Sequence, residues 1–301
     1  MNSLYSATPI TITGMNTSAK NKGEFVLITG CSSGIGYCTA KGLQQRGYQV
    51  IATARRAESV EQLRDEGFFS LQLDLSDSKS IRQAFSQIMS RTDGKLYALF
   101  NNGAFGLPGA VEDLSRENLK FQFETNVFGW LELTNLVIPV MRKQGYGRII
   151  QNSSVLGFVA MPFRGAYNAS KFAIEGLSDT LRLELKDTDI HVSLIEPGPI
   201  ISQFRANAMS ALQQHIDIDN SVHREKYLGV IERLNKKGPA APFTLPPEAV
   251  LKRVLHALES KRPKPRYSVT FPTYLFAFLK RLLSHRQLDA ILAKAGNDGK
   301  Q

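Results

Sequence analysis

Tyr167 and Lys171 stand four residues apart in Tyr167-Asn168-Ala169-Ser170-Lys171, and Ser154 precedes the tyrosine by thirteen positions. Residues four apart on a helix share one face, about one turn from each other. An ammonium held beside a phenol favours the phenolate, so this spacing predicts a Tyr167 pKa drawn below its ordinary value of about 10. Such a phenol can give a proton to a carbonyl oxygen or take one from an alcohol. Pairs of this kind arise by chance on many helices, so the weight of the assignment falls on the rest of the chain.

The chain supplies a dinucleotide site in the order the chemistry needs. Residues 24–29 are a short apolar run that reads as a buried parallel strand. Thr29-Gly30-Cys31-Ser32-Ser33-Gly34-Ile35-Gly36 follows, and a helical pattern then runs to about Gly47. Glycines let a turn bend tightly and let backbone approach a pyrophosphate at the positive end of a helix. The spacing here is Gly-x3-Gly-x-Gly rather than the commoner Gly-x-Gly-x2-Gly. Further strand-like runs at 49–54, 68–73, 97–100, 148–153 and 190–195, with a short one near Tyr267, alternate with helical patterns. That alternation implies parallel strands, and so an α/β fold with its ligand at the strands' carboxyl ends.

The second strand ends in Arg55-Arg56. A carboxylate at that place suits the ribose 2′-hydroxyl of NAD, whereas two guanidiniums suit a 2′-phosphate by charge and fork geometry. Ser32 and Ser33 add hydroxyls near the same phosphate. NADP(H) is therefore the expected cofactor, and the sequence asks for no metal.

Thr29 to Gly36, Asn101-Asn102-Gly103-Ala104, Asn126, Ser154, Tyr167, Lys171 and Pro197-Gly198 together resemble the short-chain dehydrogenases/reductases, over roughly residues 23–285. Glu196-Pro197-Gly198-Pro199-Ile200 and the basic, aromatic C-terminus resemble the branch of bacterial aldehyde reductases, 17β-hydroxysteroid dehydrogenases and retinol dehydrogenases. The resemblance implies a Rossmann-type, doubly wound parallel sheet of seven strands with helices on both faces, in one domain. It implies Tyr167 as general acid or base and Lys171 as the group that lowers its pKa and holds the nicotinamide ribose. Ser154 would hydrogen-bond the carbonyl oxygen, and Asn126 would hold a water linking Lys171 to solvent. Cofactor contacts carried over in the same way are Gly30, Ser32, Ser33, Gly34, Ile35, Gly36, Arg55, Arg56, Asp74, Leu75, Asn102, Gly103, Tyr167, Lys171, Pro197, Gly198, Ile200 and Ser202. The family commonly has Asn-Asn-Ala-Gly where this chain has Asn-Asn-Gly-Ala, an exchange expected to change the loop's dihedrals modestly.

Substrate identity is less legible. Ser154, Tyr167, Leu156, Phe158, Phe163 and Phe204 are the expected substrate contacts, in a pocket closed by residues 199–245 and by the chain's end. An apolar lining favours a hydrophobic aldehyde or ketone over a sugar or a charged acid. A medium- or long-chain aldehyde leads, with a steroid or retinoid as the alternative within the family. A catalytically silent NADP(H)-binding sensor or scaffold is the alternative of another class.

The chain of 301 residues is 43% hydrophobic with a net charge of +10 and two cysteines, Cys31 and Cys38. That suits one large core and reduced thiols in the cytoplasm. Residues 1–22 are polar and expected to be disordered, with translation from Met1 or Met15 equally compatible with the fold. Residues 23–270 form the expected domain and 271–301 a C-terminal segment packed on the pocket. Residues 251–301 hold eleven Lys or Arg against three Asp or Glu. Their apolar stretch falls far short of the about 20 residues that span a bilayer. A helix closing the pocket is the favoured reading of that segment, with weak peripheral membrane contact as the alternative. No nucleic-acid motif accompanies the charge. A homodimer is expected through the helices that carry Asn126 and Tyr167.

Overall fold

The computed structural model of the chain describes residues 23–239 and 241–296, so the expectations for residues 1–22 and for the start at Met1 or Met15 lie outside the described residues. The apolar runs form β1 Phe25–Ile28, β2 Gln49–Ala54, β3 Phe69–Gln72, β4 Ala98–Asn101, β5 Tyr146–Asn152, β6 Asp189–Glu196 and β7 Arg266–Ser268. All pair in parallel, in the order β3-β2-β1-β4-β5-β6-β7. The helices are α1 Gly34–Gln45, α2 Ala57–Asp65, α3 Ser78–Arg91, α4 Arg116–Phe123, α5 Gly129–Gln144, α6 Gly165–Glu184, α7 Phe204–His215, α8 Arg224–Asn235, α9 Glu248–Glu259, α10 Phe271–Leu282 and α11 His285–Gly296. The fold is the expected seven-stranded, doubly wound α/β sheet.

Strand side chains alternate between two cores because successive Cβ atoms point to opposite faces. Val26, Ile28, Ala98 and Phe100 join α1, α2 and α9 on one face, through residues such as Leu43, Leu63 and Val254. Leu27 and Leu99 join α3, α5 and α6 on the other, through Ile88, Trp130 and Ile174. The strand order reverses between β1 and β4, which opens a crevice at the carboxyl ends of those strands.

Two satellite cores lie beyond the sheet. Residues 203–235 fold into α7 and α8, whose Ala208, Leu212, Tyr227 and Val230 pack with Leu107 and Ala166. The end of the chain folds into α10 and α11, whose Phe276, Leu288 and Leu292 pack on Val155, Leu156 and Val159. Among the described residues, no helix is long and apolar enough to cross a membrane.

Candidate active site

Gly30 leaves β1 at φ +71° and Gly34 opens α1 at φ +57°, left-handed backbone that L side chains avoid. A Cβ on Gly36 would run into the Gly30 carbonyl oxygen and stand 2.6 Å from Asn102 Nδ2. The loop is thus folded hard against the first turn of α1. That turn has no acidic residue, and Ser33 at its N-cap makes no side-chain cap bond. The N-termini of α3 and α4 are, by contrast, capped by Asp77 and Ser115. An uncapped, positively polarised helix end beside β1 fits a pyrophosphate. Ser32 is exposed there, and Ser33 and Ile35 are partly exposed.

The loop after β4 is knitted to this one. Thr29 Oγ1 accepts the N–H of Asn102 and of Gly103, each at 2.8 Å, and Asn102 Nδ2 donates to Thr29 O at 2.9 Å. A Cβ on Gly30 would lie 2.6 Å from Gly103 Cα, so the two backbones touch. Gly103 is not among the positive-φ glycines. The glycine here serves a close approach rather than a left-handed turn, and Ala104 packs into the second core. Leu75 Cδ1 stands 3.1 Å from where a Gly103 Cβ would be. Asp74 beside it accepts the Ser76 N–H at 2.9 Å and the Ser76 hydroxyl at 2.7 Å.

Lys171 is buried on α6. Its Nζ donates to Asn152 O at 2.8 Å and sits 4.2 Å from the Trp130 ring centroid and 5.7 Å from that of Tyr167. Asn152 Nδ2 in turn donates to Asn102 Oδ1 at 2.9 Å, which ties the lysine to the cofactor-side loops. Ser154 is buried at the end of β5, its Oγ accepting the Leu156 N–H at 3.1 Å. Asn126 lies in a π-turn, Glu124–Phe128, inserted between α4 and α5. Its side chain spans the backbone of Phe105, accepting N–H at 3.2 Å and donating to C=O at 2.9 Å, and also donates to Ser170 Oγ at 3.2 Å. Extra-residue turns of this kind commonly mark functional positions in helices.

One electrostatic expectation is corrected. Burial pushes the Tyr167 phenol up to about 12, with the Ser154 hydroxyl drawing it partly back, and burial pulls the Lys171 ammonium down to about 7, with the Glu175 charge opposing. The Lys171 ammonium stands 5.7 Å from the Tyr167 ring centroid, and desolvation is the leading cause of both shifts. Burial likewise pushes both Cys31 and Cys38 to about 12, which leaves them inert as nucleophiles at neutral pH.

The segment after β6 closes over the glycine loop. The Pro197 carbonyl accepts the Val155 N–H at 2.8 Å, and Gly198 packs against Thr270. Ile200 pairs with Leu245, and Ser202 Cβ would lie 3.0 Å from a Cβ on Gly34. Arg55 and Arg56 are exposed immediately after β2, as the sequence places them.

A cavity of about 90 Å³ abuts Tyr167, lined by Leu107, Leu156, Phe204, Ala208 and Leu234 and also by Arg164, Arg205 and Arg233. Tyr167, Leu156 and Phe204 of the expected substrate contacts meet there, the Phe204 and Tyr167 rings crossing edge to face at 5.2 Å. Phe163 does not join them. At φ +57° it turns to Tyr227, with ring centroids 5.2 Å apart, inside the α7–α8 core. Phe158 packs with the α10–α11 cluster, and Arg164, Arg205 and Arg233 join the apolar residues of the lining. Arg205 is held by the α8 end, donating to the carbonyls of Arg233 at 3.3 Å and Lys236 at 2.7 Å.

Sequence reasoning misses three participants. Trp130 supports the Lys171 ammonium and donates from Nε1 to Gly103 O at 2.8 Å. Asn152 couples lysine to loop, as above. Glu175, buried one turn beyond Lys171, shares Arg266 with Glu196, at 3.1 and 3.2 Å. Burial leads the push of the Glu196 carboxyl up to about 7. The signal for Glu175 is its spacing of four and eight residues from Lys171 and Tyr167; Trp130 and Asn152 become visible only in three dimensions.

Comparison with known proteins agrees with the geometry. Residues 24–213 match the family described as short chain dehydrogenase. An uncharacterized oxidoreductase of Escherichia coli, YbbO, is 43% identical over 267 residues, covering 89% of this chain and 93% of its own. The NADPH-dependent 3-dehydrocapnine reductase of Ornithobacterium rhinotracheale is 30% identical over 279 residues, covering 90% of this chain and 96% of its own. A short-chain dehydrogenase/reductase from Burkholderia phymatum, solved in complex with NAD, shares the fold with a TM-score of 0.70 at 23% identity, covering 90% of this chain and 96% of its own. The chain belongs to the short-chain dehydrogenases/reductases, a family of oxidoreductases that bind a nicotinamide cofactor and act on small molecules.

Proposed function

We propose that the protein is an NADP(H)-dependent oxidoreductase that interconverts a hydrophobic carbonyl and its alcohol, working as a reductase of medium- or long-chain aldehydes. The observation that carries this reading is geometric: Tyr167 and Lys171 share one face of α6, the Ser154 hydroxyl bonds the phenol, and Tyr167 walls a cavity lined by Leu107, Leu156, Phe204, Ala208 and Leu234 together with Arg164, Arg205 and Arg233. A phenol that stays protonated at neutral pH is a proton donor, the role that reduction requires. A nicotinamide dinucleotide, when bound, would supply the hydride. Tyr167 gives its proton to the carbonyl oxygen, and Ser154 Oγ hydrogen-bonds that oxygen as charge develops on it. Lys171 steadies the nicotinamide ribose, and Asn126 widens its helix where a water can meet the lysine. Gly30, Gly34 and Gly36 would cradle the pyrophosphate, Asp74, Leu75, Asn102 and Gly103 would hold the adenosine, and Pro197, Gly198, Ile200 and Ser202 would hold the nicotinamide.

The NADP preference rests on Arg55 and Arg56, exposed at the end of a strand that carries no carboxylate. The NADPH dependence in the name of the Ornithobacterium relative supports it. A homodimer through α5 and α6 suits the exposed Phe128, Leu131, Phe172 and Leu177 on those helices and the turn before them. Two buried, unpaired thiols suit a reducing cytoplasm.

The test is turnover of NADPH and of NADH, followed by loss of nicotinamide absorbance, with straight-chain aldehydes of increasing length and with steroid and retinoid carbonyls. NADPH preference, kcat/KM rising with chain length, and a loss of at least about 100-fold in Tyr167→Phe are expected. Activity retained in Tyr167→Phe refutes the assignment.

A further inference from the structure

Helix α10 has two apolar faces, and only one of them is used. Thr273 and Phe276 are buried, Phe276 among Leu156, Leu288 and Leu292. On the opposite side Phe271, Tyr274, Leu275, Phe278 and Leu282 are exposed by 55, 49, 37, 59 and 64%. At about 100° per residue these five positions fall within one stripe about 100° wide. Phe243 extends the stripe beyond the helix: its ring centroid lies 4.8 Å from that of Phe271, and it is 58% exposed. Its backbone is at φ +59°, a left-handed conformation that costs a bulky residue free energy and that burial among the described residues does not offset.

The charges beside the stripe are basic. Arg253 on α9 donates to the Tyr274 hydroxyl at 2.9 Å, and that hydroxyl donates to Ser268 O at 2.8 Å. Arg281 follows Phe278 by three residues and Tyr274 by seven, on the same flank of the helix. Residues 251–301 carry a balance of +8 out of the chain's +10. A second copy seated on this face would bring two such segments together against their own repulsion. An anionic surface meets both features, aromatic and aliphatic side chains entering the acyl boundary and guanidiniums meeting phosphates. Twelve helical residues reach about 18 Å, well short of the about 30 Å of a bilayer core, so the helix must lie along the surface.

We propose that the stripe formed by Phe243, Phe271, Tyr274, Leu275, Phe278 and Leu282 docks the protein on an anionic bilayer surface. The docked face lies one packing layer from the catalytic cavity. Leu156 belongs to both the α10–α11 core and the cavity lining, and Lys280 Nζ donates to Phe158 O at 2.6 Å. A membrane-dissolved carbonyl compound would thereby be delivered close to Tyr167. This delivery role rests on the hydrophobic-carbonyl reading; the docking itself does not.

The experiment is co-sedimentation of the full chain with vesicles of phosphatidylcholine containing about one-third phosphatidylserine, and with pure phosphatidylcholine vesicles. The expected result is binding to the anionic vesicles, weakened by salt and at least about tenfold weaker without phosphatidylserine. The double variant Phe271→Ser/Phe278→Ser should lower the partition at least about tenfold while its elution volume in gel filtration stays unchanged. Arg281→Glu, a surface change that spares the fold, should remove much of the anionic preference. No vesicle binding by the parent, or equal binding by parent and double variant, overturns the proposal. So does a double variant that becomes monomeric where the parent is dimeric, since a second copy then covers the stripe. Turnover of a short, water-soluble aldehyde should be equal in all three proteins. Its absence in the parent would refute the oxidoreductase reading and leave the vesicle result standing on its own.

Discussion

Glu175→Gln tests whether a buried carboxylate sets the protonation of Lys171. Glu175 lies one helical turn beyond the lysine on α6, and its charge opposes the burial that pulls the Lys171 ammonium down to about 7. Glutamine keeps the shape and removes the charge. Side chains at this spacing have Cβ atoms about 5–6 Å apart. The carboxylate is held by Arg266 at 3.1 Å, and a charge separation on the order of 7 Å serves for the estimate. At an effective dielectric of about 20 this is worth ~2 kcal/mol. Arg266, shared with Asp179 and Glu196, cancels part of it. About 1 kcal/mol remains, a little under one pK unit. The Lys171 midpoint should therefore fall from about 7 towards 6 in the variant. The assay is the pH dependence of kcat/KM for NADPH at saturating carbonyl, which reports ionisations of the free protein. On the proposed role of Lys171, in which the charged form works, the parent's profile falls above about pH 7 and the variant's about one unit earlier, with similar values at the acidic plateau. The stability sign is separate: an unfolded lysine holds its proton to 10.5 and folded Lys171 only to about 7, so the unfolded chain binds more protons in between. Lys171 therefore makes stability rise with pH across that window. Superimposable kinetic profiles for parent and variant would refute the argument.

Three further perturbations follow from the site. Arg55→Asp/Arg56→Asp should lower the ratio of NADPH to NADH kcat/KM at least about tenfold, because each charge-assisted contact to a phosphate is worth about 1.5–3 kcal/mol; an unchanged ratio removes the basis for the NADP assignment. Gly36→Ala must move either the Gly30 carbonyl or Asn102, whose Nδ2 would lie 2.6 Å from the new methyl. Cofactor affinity, read by fluorescence titration, should drop at least about tenfold with a lower Tm, and a variant that binds as the parent does would show that the loop is looser than drawn. Phe204→Ala removes the ring that crosses Tyr167 at 5.2 Å and closes a cavity of about 90 Å³, small against the about 300 Å³ of ordinary ligand sites. If α7 gates the site, the variant's kcat/KM for bulky carbonyls rises relative to short ones; an equal loss for both would make Phe204 a contact rather than a gate.

What the sequence makes legible is what local pattern controls. Buried parallel strands are continuous apolar runs, so Val26 to Ile28 and Ile190 to Ile195 announce themselves, and glycines that approach backbone, such as Gly30 and Gly36, sit in a loop of recognisable spacing. Residues 203–245 are different. Their apolar side chains show that faces are buried without showing against what. Leu212 and Tyr227 turn out to fill the core between α7 and α8, while Phe243 is exposed against Phe271. Phe163, adjacent in sequence to α6, does not line the cavity: at a left-handed φ its ring packs edge-on against Tyr227 in that core.

The tyrosine–lysine pair shows the same limit in its chemistry. Spacing places Tyr167 and Lys171 on one face of α6, and that much the structure bears out. The sign of the tyrosine's shift depends on how much water the pair keeps and on which atoms face each other. Trp130 and the Asn152 carbonyl take the ammonium, and the walls of the site desolvate both groups. The surrounding low dielectric, more than the mutual attraction of the pair, then sets both protonation states. For the proposed reductase the consequence is that the burial which withholds the phenolate leaves Tyr167 a proton donor at neutral pH. Oxidation of an alcohol, which needs the phenolate as base, should accordingly lag reduction at neutral pH. Two chains with identical Tyr-x3-Lys spacing need not share that asymmetry, because it is written in the residues around the pair.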